Sequence, residues 1–173
     1  MRDIATIVRR ELGAYFYSPI AYIVAIIFVT LNAGLYLLTF WGGQTLSMRT
    51  FFEFVSWSVC IILPAITMRL WAEEKRGNTY ELLLTFPMPS HRLVAGKYFA
   101  ALLFYLFCLA GSLPIPIALN FLGKDGGPDF GPIATAYLGS VLLGALLLAL
   151  GLFISGFVRD QIVAFILTLI LAL

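Results

Sequence analysis

The sequence predicts an all-α integral membrane protein, with an N-terminal helix lying at the membrane interface followed by a bundle of transmembrane helices. Three features of the chain point that way. Of its 173 residues 61% are hydrophobic and 12% charged, where a soluble domain carries about 45–50% apolar and about 25% charged residues. The apolar residues fall into four long runs and a shorter fifth. The charged residues gather between those runs, and most of the basic ones occupy alternate connectors. A net charge of +2 is too small to argue for nucleic acid as a partner. Cys60 and Cys108 each sit in the middle of an apolar run, where a thiol behaves as a small hydrophobe and says little about redox compartment.

Residues 3 to 17 place Ile4, Ile7, Val8, Leu12, Tyr15 and Phe16 at spacings of three and four, with Arg2, Arg9, Arg10 and Glu11 between them. That is the pattern of a helix lying in the membrane interface, the alternative being a plain basic flank of the first span. No apolar signal-peptide core precedes residue 20 and no small-residue cleavage site follows the next run, so the first span is expected to stay in the mature protein. Ser18 and Pro19 restart the helix, Pro being tolerated in a first turn, and span 1 covers 19–41. Asn32 inside it is costly facing lipid and is expected to face another helix.

After a short turn at Gly42 to Thr50, span 2 covers 51–68, with Pro64 near its end where a kink could redirect the chain. Glu53, close to the outer end of that run, invites a substrate role, against the blander reading of a carboxylate snorkelling to the interface. Ser90 can cap the next helix, which starts with His91, Arg92 and Lys97 at the interface and becomes span 3 over 98–118. Pro114 and Pro116 break the bonding ladder at its far end. The segment from Gly123 to Pro132 is a turn-forming loop by composition, and the spacing of Asp125 and Asp129 matches no metal loop. Span 4 covers 133–158 and contains the pairs Ser140 with Gly144 and Gly151 with Ser155, small residues that permit close helix approach. A tight turn at Arg159 and Asp160 leads to a fifth run over 161–173. Its dozen or so apolar residues cover roughly 18 Å of a hydrocarbon core about 30 Å thick, too little to cross. The natural chain is therefore expected to extend at least one more hairpin past Leu173.

Alternating the spans puts residues 1–18, 69–97 and 159–161 on one side with three, five and one Lys or Arg, against Arg49 and Lys124 alone on the other. Nine against two places the N-terminus and the 69–97 connector in the cytoplasm.

That connector, from Arg69 to Lys97, is a polar island between two greasy runs. Asn78 can cap a short helix whose N3 position is Glu81, an Asn variant of the capping box, and Pro87 with Pro89 closes it after Leu82, Leu83, Leu84 and Phe86. A connector between spans needs only a few residues, so one that builds a capped, charged surface helix has something to touch. The bland alternative is a solvated loop whose acids balance Lys75, Arg76 and Arg92.

The run from Met68 to Pro87 resembles the first cytoplasmic loop of ABC-2 type transporter permeases, M-R-x-x-x-E-E-(K/R)-x-x-G-T-x-E-L-L-L-(T/S)-x-P, followed by G-K-(Y/F) at Gly96, Lys97 and Tyr98. The opening R-R-E-L-x-A-Y-F-x-S-P-(I/V)-A-Y, from Arg9 to Tyr22, is similar to the branch with the gliding-motility-associated permease and the permease of nitrous-oxide-reductase maturation. Asn78 replaces the usual glycine before Thr79, and the chain ends inside the fifth of six family spans. The resemblance implies a permease of an exporter of the cell inner membrane, paired with a second permease as homo- or heterodimer, driven by separate cytoplasmic ATPase subunits, with room for a periplasmic companion. It implies that the coupling element runs from Arg69 to Phe86, with Glu73, Glu74, Lys75, Arg76, Asn78, Thr79, Glu81, Leu82, Leu83 and Phe86 at the ATPase and the N-terminal helix beside it. No G-x-x-x-x-G-K-(S/T) occurs in this chain, so ATP and Mg belong to the partner, and no catalytic, cofactor or metal residue is expected here. A different class of function, a membrane scaffold on which the same ATPase drives a mechanical or maturation event, fits the same residues. An intramembrane enzyme would need paired ionisable groups within the spans, which Glu53 alone does not supply.

Overall fold

The computed structural model describes residues 2–43, 48–76, 89–122, 130–158 and 160–173. Within them the chain is helical: α1 (Arg2–Tyr17), α2 (Pro19–Gly43), α3 (Arg49–Thr67), α4 (Arg69–Arg76), α5 (Ser90–Ala110), α6 (Pro114–Leu122), α7 (Phe130–Phe157) and α8 (Gln161–Ala172). Four stretches are long and apolar enough to cross a membrane, Ala21–Thr39, Arg49–Trp71, His91–Leu119 and Phe130–Phe157, while Gln161–Ala172 is shorter.

The breaks between helices follow from local chemistry. Ser18 ends α1 by donating its N–H to the Tyr15 carbonyl at 3.0 Å and opens α2 by accepting the Ala21 N–H at 3.2 Å. Pro19 then occupies a first position where a missing N–H loses nothing. Gly111, Ser112 and Leu113 close α5 with N–H bonds back to Phe107, Leu109 and Ala110. Pro114 and Pro116 fall in the first turn of α6, so the chain breaks just ahead of the prolines and neither strands a carbonyl inside a long helix. Two ends differ from the sequence reading. Pro89, not Ser90, is the extended residue before α5, and Ser90 is its first helical residue. Phe130, Gly131 and Pro132, read as loop, form the first turn of α7, where a proline is tolerated and the Thr135 hydroxyl donates to the Pro132 carbonyl at 2.9 Å. The remainder of that predicted loop, 123–129, lies outside the described residues.

The core forms around α3, which packs against α2, α7 and α8. Phe51, Val55, Ser58, Val59, Leu63, Ile66 and Thr67 make its buried stripe, at the spacing that keeps one helix face turned inward. The outside of the bundle is as apolar as the inside: Ile26, Leu38, Leu142, Leu146, Phe153, Ile162 and Ile170 are all exposed. Such a surface is stable only against hydrocarbon or another apolar helix.

Where lipid tails are as apolar as the core, close fit and internal polar bonds hold helices together. Asn32 is fully buried between α2 and α3, giving its Nδ2–H to the Phe28 carbonyl at 2.7 Å and to Ser58 Oγ at 2.9 Å. Glu53 instead lies exposed beside Arg49 on its own helix, Nε to Oε1 3.3 Å, an i,i+4 surface pair that supports no substrate role. On α7 the small residues are seats for large neighbours. A methyl group added at Gly144 would run into the Tyr105 ring and one at Gly151 into the Thr67 side chain, whereas Gly139 has nothing within 4 Å. Gly144→Leu is therefore expected to destabilise the bundle by about 1–3 kcal/mol or more through overpacking. Gly139→Leu should be nearly silent. A thermal melt in detergent checks this, and equal midpoints for the two variants would show that α7 does not pack through that face.

Candidate functional site

The charged residues described at one end of the bundle converge on the start of α4. A single turn residue, Met68, separates α3 from α4, its N–H bonded to the Pro64 carbonyl at 2.9 Å. Leu70 and Trp71 then turn inward and are buried, which pins the first turn of an otherwise strongly polar helix onto the bundle.

Three polar contacts fix α4 in addition. The Trp71 N–H donates to Ser155 Oγ on α7 at 3.2 Å. Lys75 Nζ donates to the Gly156 carbonyl on α7. Lys97 Nζ on α5 donates to the Leu70 carbonyl at 2.9 Å. The last is the least expected from sequence, which places Lys97 at the interface at the start of a span. It is only 2% exposed, lies 5.1 Å from the centre of the Trp71 ring and stands 3.6 Å from Glu11 Oε1 on α1. Burying an ammonium is costly unless charge and hydrogen bonding compensate. Here a carbonyl, a carboxylate and an indole face share that role, and they come from α4 and α1.

Glu11 also receives Arg10 Nη2 at 2.7 Å, so α1 carries the carboxylate that ties the two ends of the network. The amphipathic pattern read in α1 assigned its apolar face to the membrane. In the structure much of that face is covered by α5 instead. Ile7 lies against Gly96, where a methyl would collide with it, Tyr15 stacks on Phe104 with centroids 5.2 Å apart, and Phe16 meets Phe107 edge-on at 5.3 Å. The two helices run in the same sense along these contacts.

Between α1, α2, the α3–α4 corner and α5 lies a cavity of about 490 Å³. Arg10, Glu11, Arg69 and Lys97 line its polar part, and Ala14, Ala21, Val24 and Phe104 are among its apolar walls. The described residues contain no group of three or more His, Cys, Asp or Glu placed to hold a metal ion.

The sequence-derived coupling residues divide as follows. Arg69, Glu73, Glu74, Lys75 and Arg76 lie on α4. Asn78, Thr79, Glu81, Leu82, Leu83 and Phe86, with the capped helix they were read to form, lie outside the described residues. Arg2, Arg9, Arg10 and Glu11 are on α1. Sequence reasoning did not single out the helix over Arg69–Arg76, Ser155 as its anchor, or Lys97 as a buried residue. The available signals were the apolar pair Leu70 and Trp71 amid charges, and a lone lysine inside the run VAGKYFAALL.

A family model described as ABC-2 family transporter protein matches residues 17–173, from the end of α1 through α8. No curated protein matches the chain.

Proposed function

The chain belongs to the ABC-2 transporter family, and from that premise we propose that it couples ATP hydrolysis by a separate cytoplasmic ATPase to export across the cell inner membrane. It is a multi-pass membrane protein and a permease subunit of an ABC system. The proposed orientation has the N-terminus, α4 and the segment beyond it in the cytoplasm, on the side favoured by nine basic residues against two. The working unit is two permeases with ATPase subunits that bind ATP and Mg, with room for a periplasmic companion. The similarity of the Arg9 to Tyr22 opening to the gliding-motility-associated and nitrous-oxide-reductase-maturation permeases supports placing it in that branch.

One observation carries the coupling reading: α4 is bonded to α5 through Lys97 and Leu70 and to α7 through Trp71, Ser155, Lys75 and Gly156. A push on α4 is thereby delivered to two spans at once, because a short helix held at several points moves with its anchors and does not pivot alone. Glu73, Glu74 and Arg76 lie in the part of α4 beyond Trp71, nearer the segment that would meet the ATPase.

A cysteine at Arg76, in a protein whose free Cys60 and Cys108 are replaced by Ala, tests both orientation and contact. It is expected to cross-link to the ATPase through a short bifunctional reagent, and to resist a membrane-impermeant thiol reagent applied to intact cells. Labelling from outside would overturn the orientation, and no cross-link in assembled complexes would remove α4 from the contact.

A further inference from the structure

We propose that the cavity between α1, α2, the α3–α4 corner and α5 is a binding site for the phosphate of an anionic phospholipid, whose glycerol and first acyl carbons lie along its apolar wall. Among the described residues that line the cavity, three are cationic, Arg10, Arg69 and Lys97, and one, Glu11, is a carboxylate. Lys97 is engaged by the Leu70 carbonyl and Glu11, so it supplies field more than contact. The Arg69 guanidinium has no hydrogen-bond or ion-pair partner among the described residues, and the Arg10 side chain is 57% exposed beside Glu11. Two arginines lining one space suit a phosphate better than any neutral group, because a guanidinium can donate a pair of parallel N–H bonds to its oxygens.

The remaining wall selects the lipid over a soluble phosphate. Ala14, Ala21 and Ala65 keep the space open while Val24, Ile66 and Phe104 make it apolar. Sugars or free phosphate would gain nothing from that surface, whereas the glycerol backbone and upper chains of a lipid would lose water against it. Tyr17, 92% exposed, and Tyr22, 50% exposed, flank the α1–α2 corner, and rings of this kind concentrate at the headgroup level of a membrane. The volume, about 490 Å³, is within the range of roughly 300–1,000 Å³ usual for a small-molecule site. Basic pockets between helix ends are a recurrent means of holding anionic headgroups. The site requires neither an ATPase nor transport, and its failure would leave the coupling reading untouched.

Native mass spectrometry of the natural full-length protein, delipidated and offered equimolar dioleoylphosphatidylglycerol and dioleoylphosphatidylcholine, is the test. Phosphatidylglycerol is expected to be retained in preference. Arg69→Gln and Arg10→Gln should each weaken its retention about fivefold, the effect of one basic residue at a membrane surface, while Arg49→Gln, at the opposite end of the bundle and paired with Glu53, should not change it. Should Arg69→Gln fail to fold, Arg10→Gln decides, because its side chain is largely in the open. Equal retention of phosphatidylcholine would show a merely apolar groove and overturn the proposal. Unchanged retention in both arginine variants would do the same, and displacement of the lipid by inorganic phosphate at equal concentration would reassign the cavity to a soluble anion.

Discussion

Reversing Glu73 and Glu74 to Lys together is expected to reduce substrate-stimulated ATP hydrolysis to its basal level and to weaken association with the ATPase subunit at least tenfold, while the permease still inserts and accumulates. The two residues occupy consecutive positions on α4, past the turn that Leu70 and Trp71 bury. The contacts that hold α4 in place come from Leu70, Trp71 and Lys75, so the reversal leaves every described anchor intact and folding should survive. At an interface, close charge pairs couple by about 1.5–7 kcal/mol, and turning attraction into repulsion costs more than deleting a charge. Copurification at the wild-type ratio with wild-type hydrolysis would mean that α4 does not carry the coupling contact. The measurement separates this from a folding defect because membrane levels and the detergent melt are read on the same sample.

Lys97→Glu should be the most damaging single change to the fold. The substitution sets a second carboxylate beside Glu11, which Lys97 now approaches to 3.6 Å, and it aims that carboxylate at the Leu70 carbonyl, which accepts the ammonium at 2.9 Å. Breaking a buried pair by removing one partner costs about 3–5 kcal/mol, because the remaining charge stays out of water. Lys97→Met should cost less, since Glu11 keeps Arg10 at 2.7 Å and the methionine fills the same channel under Trp71. The charge swap, Glu11→Lys with Lys97→Glu, should recover only part of the loss. It restores an ion pair, but a carboxylate cannot donate to the Leu70 carbonyl. Thermal unfolding in detergent should rank the proteins wild type, Lys97→Met, the swap and Lys97→Glu. A Lys97→Glu protein that melts with the wild type would mean that the side chain reaches solvent, as its place at the head of a span suggests from sequence.

Much of this architecture was legible without coordinates because lipid imposes a one-dimensional rule. A span must be long and apolar, so the stretches around residues 21–39, 49–71, 91–119 and 130–157 announce themselves by composition. Asn32 announced an internal partner for the same reason: a carboxamide facing hydrocarbon is too costly to keep. The identity of that partner, Ser58 on α3, was not legible, since any neighbouring helix would have satisfied the rule.

The chain's own residues thus determined that it is helical, that it spans a membrane several times, that its basic residues favour one side, and which family its island resembles. Tertiary structure alone decided where the small residues of α7 are filled, by Tyr105 and Thr67, and that α1 lies along α5 and not on lipid alone. It also decided that Lys97 is buried. The physical reason is common to all three. Apolar surface has nearly the same free energy against lipid as against another helix, so periodicity shows that a face is apolar but not what covers it. Likewise, a lysine near a helix end can extend to water or turn inward at similar cost until a carbonyl, a carboxylate and an indole are brought to it by helices distant in sequence.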